Sequence, residues 1–419
     1  MKPQRQLSVG IFSAPQVAFR LLQPCTAAGR HYEGRWSAEY REGRIFFDGA
    51  LYDELIFIPE LPADAAPAAF APASFVLSDV TIGVDFHWQR KEPQRFAGSL
   101  KLMVEGERIT AVNLIGIEDY LRCVIASEMK ATASPEFLKA HAVISRSWLL
   151  AQIERRGTLP AGRPEFVETE DTIIRWADRE DHLHFDVCAD DHCQRYQGLS
   201  RLSSPRVDEA VLATWGQVLE YDGALCDTRF SKCCGGMTER FSTCWENRDY
   251  PYLSPVKDAP AEGGPDFCDT ADEAVLSQVL NDYDLETKDF YRWRVEYGRR
   301  ELADLIRRRS GIDFGDEICA LEPLERGASG RIWLLRIVGS ARSMTVGKEL
   351  TIRRWLSESH LKSSAFEVSC ADDRIILDGR GWGHGVGLCQ IGAAVMGHRG
   401  YPYAEILAHY FPGAKLTTR

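Results

Sequence analysis

The sequence predicts an α+β protein, and three observations carry that prediction. Apolar and polar residues alternate in LSVGIF, RIFFDGALYDELIFI, FVLSDVTIGVDFHW and SLKLMVEGERITAVNLI, with Gly, Pro and charged turns between, so residues 6–115 read as strands. Near Ile117 the spacing of apolar residues changes to that of helices. A second strand series over 318–378 then precedes a glycine-rich run and two short helical patterns. Strands and helices grouped in separate runs point to α+β architecture.

Taken in order, the elements divide the chain into three segments. The strand-rich region is 1–104; within it LPADAAPAAFAPASF (61–75) is interrupted by prolines and reads as a loop. The segment 105–265 opens with a short helix over 118–127, with Tyr120, Leu121, Val124 and Ile125 on one side. After a break at 130–134, Ser134-Pro135 starts a longer helix to about Ile153, with Ser as N-cap and Pro in the first turn. Residues 160–205 are charged and loop-like, and 209–260 read as strands and turns around CCGG. The region 266–419 mixes helices at 272–281 and 299–310, the later strands, and helices at 390–398 and 402–410.

Bulk composition narrows the function. A hydrophobic content of 45% with 26% charged residues is that of a globular protein. The net charge of −11, without a compensating basic run, argues against a nucleic-acid partner. No apolar stretch is long enough to predict a membrane span. The start, MKPQRQLSVGIFSAP, has too short an apolar core for a signal peptide. The expected location is therefore the cytoplasm, or the periplasm or cell wall if a signal has been removed.

Three segments carry candidate chemistry. In IEDYLRCVIASEMKATASPEFLKAHAVISRSWLLAQ (117–152), Glu128 ends one helix where the following loop can present it to a groove. Lys139 and Arg146 lie two turns apart on the second helix, so both are expected on one side. One carboxyl with two cations suits a general acid working on an anionic substrate; an ordinary surface ion pair is the plainer alternative. In HLHFDVCADDHCQRYQG (182–198), His182, Cys188, His192 and Cys193 form a set that favours a closed structural zinc site, with His184 a spare for His182. Solvated histidines with free thiols or one disulfide are the alternative. In GRGWGHGVGLCQIGAAVMGHRG (379–400), alternating glycines allow close backbone approach, which either brings Trp382 and His384 to a sugar ring or builds a tight structural turn. Twelve cysteines suggest metal or reduced thiols before disulfides. Cys226, Cys233, Cys234 and Cys244 are expected to be small buried residues in a tight turn, with a second thiolate site as the alternative.

Together these segments resemble the SpoIID/LytB family, named for stage II sporulation protein D and the amidase enhancer. The likeness runs over about 105–413. The family pattern Tyr-Leu-x-Gly-Val-Val-x-x-Glu-Met-Pro reads YLRCVIASEMK here, and Leu-Lys-Ala-Gln-Ala-Val-x-x-Arg reads LKAHAVISR. The C-terminal signature stands as GRGWGHGVGLCQIGA, and the chain closes on EILAHYFPGAKL. The resemblance implies lytic cleavage of the muramic acid–glucosamine bond of peptidoglycan strands or muropeptides, with Glu128 as acid/base and anhydro-muramic acid products. It also implies zinc held by His182, Cys188, His192 and Cys193. The alternative within the family is a non-catalytic peptidoglycan-binding protein that activates a cell-wall amidase. Four departures are visible: Cys123 for Gly or Ala, Lys130 for Pro, Cys389 for Ser, and KCCGG (232–236) for Ser-Thr-Ser-Gly-Gly.

Overall fold

A computed structural model describes residues 4–60, 69–82, 90–155, 167–176, 182–190, 192–280 and 289–419. The expected loop at 61–75 and the charged stretch after 160 fall partly outside these residues. The architecture is α+β. Helices are, in chain order, α1 Ile117–Glu128, α2 Pro135–Arg155, α3 Pro205–Ala213, α4 Phe241–Cys244, α5 Glu273–Val279, α6 Arg299–Ser310, α7 Glu349–Trp355, α8 Gln390–His398 and α9 Tyr403–Tyr410. No helix among the described residues is long and apolar enough to cross a membrane.

Internal packing divides the chain into two discontinuous units that cut across the three sequence segments. The first holds 1–133 and 180–215, the second 134–179 and 216–419.

The first unit is built on one eleven-stranded sheet. Its strand Gln6–Ala14 pairs antiparallel with Arg108–Gly116, and on its other side parallel with the two-residue strand Val187–Cys188. The alternation predicted for 6–115 is realised as a buried face where Phe19, Tyr32, Phe47 and Phe57 pack ring on ring, with Phe75 stacked on Phe96. Strand Arg108–Gly116 runs directly into α1, of whose twelve residues eleven are buried. The burial takes in its polar Glu118, Asp119 and Arg122 as well as its apolar side.

In the second unit, α2 packs on the strand Gln217–Tyr221 and on α8 and α9. A separate core gathers Trp293, Leu302, Ile306, Ile332, Leu335, Ile352, Trp355 and Leu377, joining a five-stranded sheet, a three-stranded sheet, α6 and α7. Three helices run against expectation, one of them the single turn α4 inside the stretch read as strands and turns. The stretch read as strands from 209 begins inside α3, whose N-cap Ser204 accepts from the Arg206 amide ahead of Pro205. The strand series over 318–378 is broken by α7, a helix of two turns whose Ile352 and Trp355 face the core.

One buried ion cluster anchors this unit. Asp227 is fully buried and receives Arg229 Nε at 2.7 Å and Arg155 Nη1 at 2.9 Å. Burial by itself raises the carboxyl's pKa, but Arg229 and Arg155 outweigh it and hold it below the ordinary 3.8. A depressed folded-state pKa means the stabilisation is complete above the ordinary value and is lost as pH falls through the folded one. Asp227→Asn is therefore expected to cost about 3–5 kcal/mol at neutral pH, leaving two cations short of their partner. Denaturant melts should show the gap to wild type closing in strong acid; a gap independent of pH would refute this account.

Candidate functional site

Glu128 is the last residue of α1, half-buried, at the point where Met129 turns the chain into extended backbone. Its Oε1 accepts the Arg195 amide at 2.9 Å. Three further contacts tie the same helix to the same short segment. Ser127 Oγ accepts the Gln197 amide at 3.0 Å, Tyr120 hydroxyl donates to Gln194 Oε1 at 3.3 Å, and the rings of Tyr120 and Tyr196 stack at 5.1 Å. Tyr196 in turn donates to the buried Asn113 at 2.5 Å. Residues 194–197 thus grip the end of α1 and fix the carboxyl's direction.

That segment follows directly on the Cys/His set. His182, Cys188, His192 and Cys193 place one ligand atom each within 4.8 Å of all the others. Cys193 Sγ lies 3.3 Å from His182 Nε2 and 3.5 Å from His192 Nδ1, and accepts the Cys188 amide at 3.4 Å. The loop is fastened to the sheet edge independently: Asp186 accepts from the Ser8 amide and hydroxyl, both at 2.8 Å, and Phe185 lies over Gly10, where a Cβ would meet its ring at 2.5 Å. Cys193, His182 and His192 hydrogen-bond the Cys188 sulfur and, against burial, hold its pKa far below the ordinary thiol value. A thiolate is the metal-binding form. Two thiols and two imidazoles at this mutual distance fit a tetrahedral zinc ion, with all four positions filled by protein.

Glu128 belongs to the first unit; Lys139, Arg146, Trp382 and His384 belong to the second. Lys139 is half-buried and donates to Glu136 at 2.7 Å, while the other Glu136 oxygen accepts the Tyr403 amide, so the pair ties α2 to α9. Arg146 does not share that exposure, as its helical spacing had suggested. It is 1% exposed and donates to the carbonyls of Gln217 at 2.9 Å and Ala142 at 3.4 Å. The reason is that α2 buries thirteen of its 21 residues, so two turns along the helix no longer means the same solvent face. Arg146 fastens the strand Gln217–Tyr221 to α2.

The glycine run is a packed turn. Gly381, Gly383, Gly385 and Gly387 all have positive φ, and a Cβ at Gly385 or Gly387 would strike the Arg331 guanidinium at 2.4 Å or the Arg229 carbonyl at 2.1 Å. Trp382 is half-buried and exchanges backbone hydrogen bonds with Cys233. His384 is half-buried, sets its Nδ1 3.0 Å from the Val386 amide and packs edge-on to Trp245. Burial, reinforced by Arg229, Arg331 and Arg353, lowers its pKa well below 6.5, so the imidazole is neutral. Two motif segments also meet inside this unit: the buried His141 of LKAHAV lies 3.3 Å from Gln390 of GLCQIGA.

The family model described as "Stage II sporulation protein" matches residues 105–221, which include both Glu128 and the Cys/His set. Over that segment the chain is similar to the SpoIID family. The likeness extends beyond it at the level of whole relatives. Stage II sporulation protein D of Bacillus subtilis (strain 168) is 23% identical over 308 residues, covering 73% of this chain and 76% of that protein. The protein of the same name from Bacillus amyloliquefaciens is 24% identical with the same coverage. The amidase enhancer of Bacillus subtilis (strain 168) is 25% identical over 71% of this chain, which spans 40% of that protein. Residues 239–387 match a second model, a domain of unknown function (DUF8618).

The structure brings His182, Cys188, His192 and Cys193 together as the spacing suggests, while the backbone donor at Arg195 and the convergence of Cys234 with Asp258, Cys268 and Cys389 are not visible in the sequence. An amide has no sequence signature; only the short interval from Cys193 to Arg195 hinted at it.

Proposed function

We propose that this chain is a peptidoglycan-cleaving lytic transglycosylase with Glu128 as its acid and then its base. The observation that carries the reading is the half-buried Glu128 carboxyl at the end of α1, in the segment similar to the SpoIID family, with Oε1 held by the Arg195 amide at 2.9 Å. In the first step Glu128 gives its proton to the glycosidic oxygen while the bond from that oxygen to the anomeric carbon of the muramic acid breaks. In the second, Glu128 takes the proton of the same sugar's primary hydroxyl, whose oxygen bonds to the anomeric carbon and closes the anhydro ring. The proton lent is returned and no water is consumed. A single carboxyl suffices for this sequence, whereas a glycoside hydrolase ordinarily uses two.

The rest of the site supports that group. His182, Cys188, His192 and Cys193 would hold a structural zinc ion, which leaves no open position for a metal-bound nucleophile and so cross-links the loop that presents residues 194–197. Within the second unit, taken by itself, Lys139 offers an ammonium suited to a lactyl carboxylate and Trp382 an indole suited to a sugar face. The substrate class is glycan strands stripped of peptides, or the muropeptides cut from them.

The amidase-enhancer relative favours a second reading, in which the chain binds peptidoglycan and activates a cell-wall amidase. Mass spectrometry of the products from purified, peptide-free glycan strands separates the two. Transglycosylase products end in anhydro-muramic acid and are lighter by one water than those of a hydrolase. Products with reducing ends alone would refute the mechanism, and no products with tight strand binding would favour the activator.

A further inference from the structure

Cys234, Asp258, Cys268 and Cys389 form a second convergent cluster, in the second unit and apart from the Cys/His set of the first. Their ligand atoms all lie within 4.8 Å of one another, and the four residues are at most 2% exposed. The chain delivers them from four separate places. Cys234 sits in the turn after the strand Phe230–Ser231, and Cys389 caps the N-terminus of α8 from the strand Leu388–Cys389, which pairs with the former. Asp258 follows the bridge between Met237 and Lys257, and Cys268 precedes α5. Each is oriented by backbone or side-chain donors. The Cys234 amide donates to Cys389 Sγ at 3.2 Å, the Cys268 amide to Asp258 Oδ2 at 3.0 Å, and the Tyr410 hydroxyl to Asp258 Oδ1 at 2.5 Å. Gly392 makes room for the last contact, since a Cβ there would lie 2.2 Å from the Tyr410 hydroxyl.

Two features indicate what the cluster holds. Cys234 Sγ and Cys268 Sγ are 3.7 Å apart. A disulfide needs about 2.0 Å, whereas thiolates sharing a tetrahedral zinc ion at about 2.3 Å stand about 3.8 Å apart. Secondly, Asp258 is fully buried, and its carboxyl partners among the described residues are the Cys268 amide and the Tyr410 hydroxyl, not a Lys, Arg or His. A buried carboxylate is found paired or bound to a metal. Both sequence departures that introduce thiols at the family motifs of this unit deliver one to this point, Cys234 from KCCGG and Cys389.

We propose that Cys234, Asp258, Cys268 and Cys389 bind a single thiophilic divalent cation, zinc, in a closed structural site. The ion would bind together the CCGG turn, the 258 turn, the segment before α5 and the start of α8. Tyr410 and the Cys234 and Cys268 amides serve as the outer partners that orient its ligands.

The test removes the first cluster and counts metal in what remains. Full-length protein carrying Cys188→Ser and Cys193→Ser should retain one equivalent of zinc by elemental analysis. Adding Cys268→Ser should reduce it to none. Adding Cys389→Ser, the residue the family pattern has at that position and so the variant best suited to fold, should weaken the thiolate-to-cobalt charge-transfer band of the cobalt-loaded protein by about a third, as one of three thiolates is lost. Independently of any change at this cluster, chelation of the Cys188→Ser/Cys193→Ser protein should make Cys234, Cys268 and Cys389 newly reactive to an alkylating reagent, read by peptide mass spectrometry. A metal-free Cys188→Ser/Cys193→Ser protein, unchanged alkylation on chelation, or a Cys234–Cys268 disulfide in non-reduced protein would overturn the proposal. These outcomes are independent of the Glu128 reading, because none of them measures cleavage.

Discussion

Glu128→Gln is expected to lower cleavage of peptide-free glycan strands by about 10²–10⁴-fold, the range typical of a lost general acid/base. Folding should be unaffected. Glutamine keeps the shape of the side chain and keeps an oxygen to accept the Arg195 amide, which lies 2.9 Å from Oε1. What it lacks is a proton to give and a basic oxygen to take one back, so both halves of the cycle fail together. Rates on purified strands, with the melting temperature measured alongside, check this. A variant that keeps more than about a tenth of wild-type activity would show that another group is the acid. The same variant also separates the two family roles. If it still stimulates a purified cell-wall amidase as well as wild type does, activation is independent of chemistry at Glu128.

The parts of the molecule that were legible in the sequence are those whose signals are local. Ser134-Pro135 marks the start of α2 because the cap and the fixed proline φ act within one turn, and the structure begins the helix at Pro135. The same pair at Ser204-Pro205 starts α3, but there it follows a charged, loop-like stretch and no long apolar repeat marks the helix. The Cys/His set lies within twelve residues, so its spacing alone suggests a shared ion. Cys234, Asp258, Cys268 and Cys389 span more than 150 residues with no regular interval, and only the pairing of two short strands brings their ends together. The burial of Arg146 is hidden from the sequence for a different physical reason. Helical spacing reports which residues share a face, but it reports solvent only when one face of the helix is wet.

The Cys/His set yields the second large effect, because it sits immediately before the segment that grips α1. Cys193 is the hub of that set, within 3.5 Å of both imidazole nitrogens and accepting the Cys188 amide. Cys193→Ser is expected to remove one equivalent of zinc and to lower the melting temperature. An ion held at a thousand times its Kd stabilises a fold by about 4 kcal/mol, and that corresponds to about 8–16 °C in a unit of this size. Activity should fall as well, although no zinc ligand touches substrate. Without the cross-link, residues 194–197 lose the anchor from which Gln194 reaches Tyr120, Arg195 reaches Glu128 and Gln197 reaches Ser127. Chelating wild-type protein should reproduce the loss, and added zinc should restore wild type but not the variant. Elemental analysis, a thermal melt and a cleavage assay on the same samples make the comparison. The account would be wrong if purified wild type held no metal here and Cys188 and Cys193 were joined as a disulfide. It would also be wrong if Cys193→Ser lost its zinc and kept both its melting temperature and its rate, since the segment 194–197 would then hold Glu128 without help from the ion.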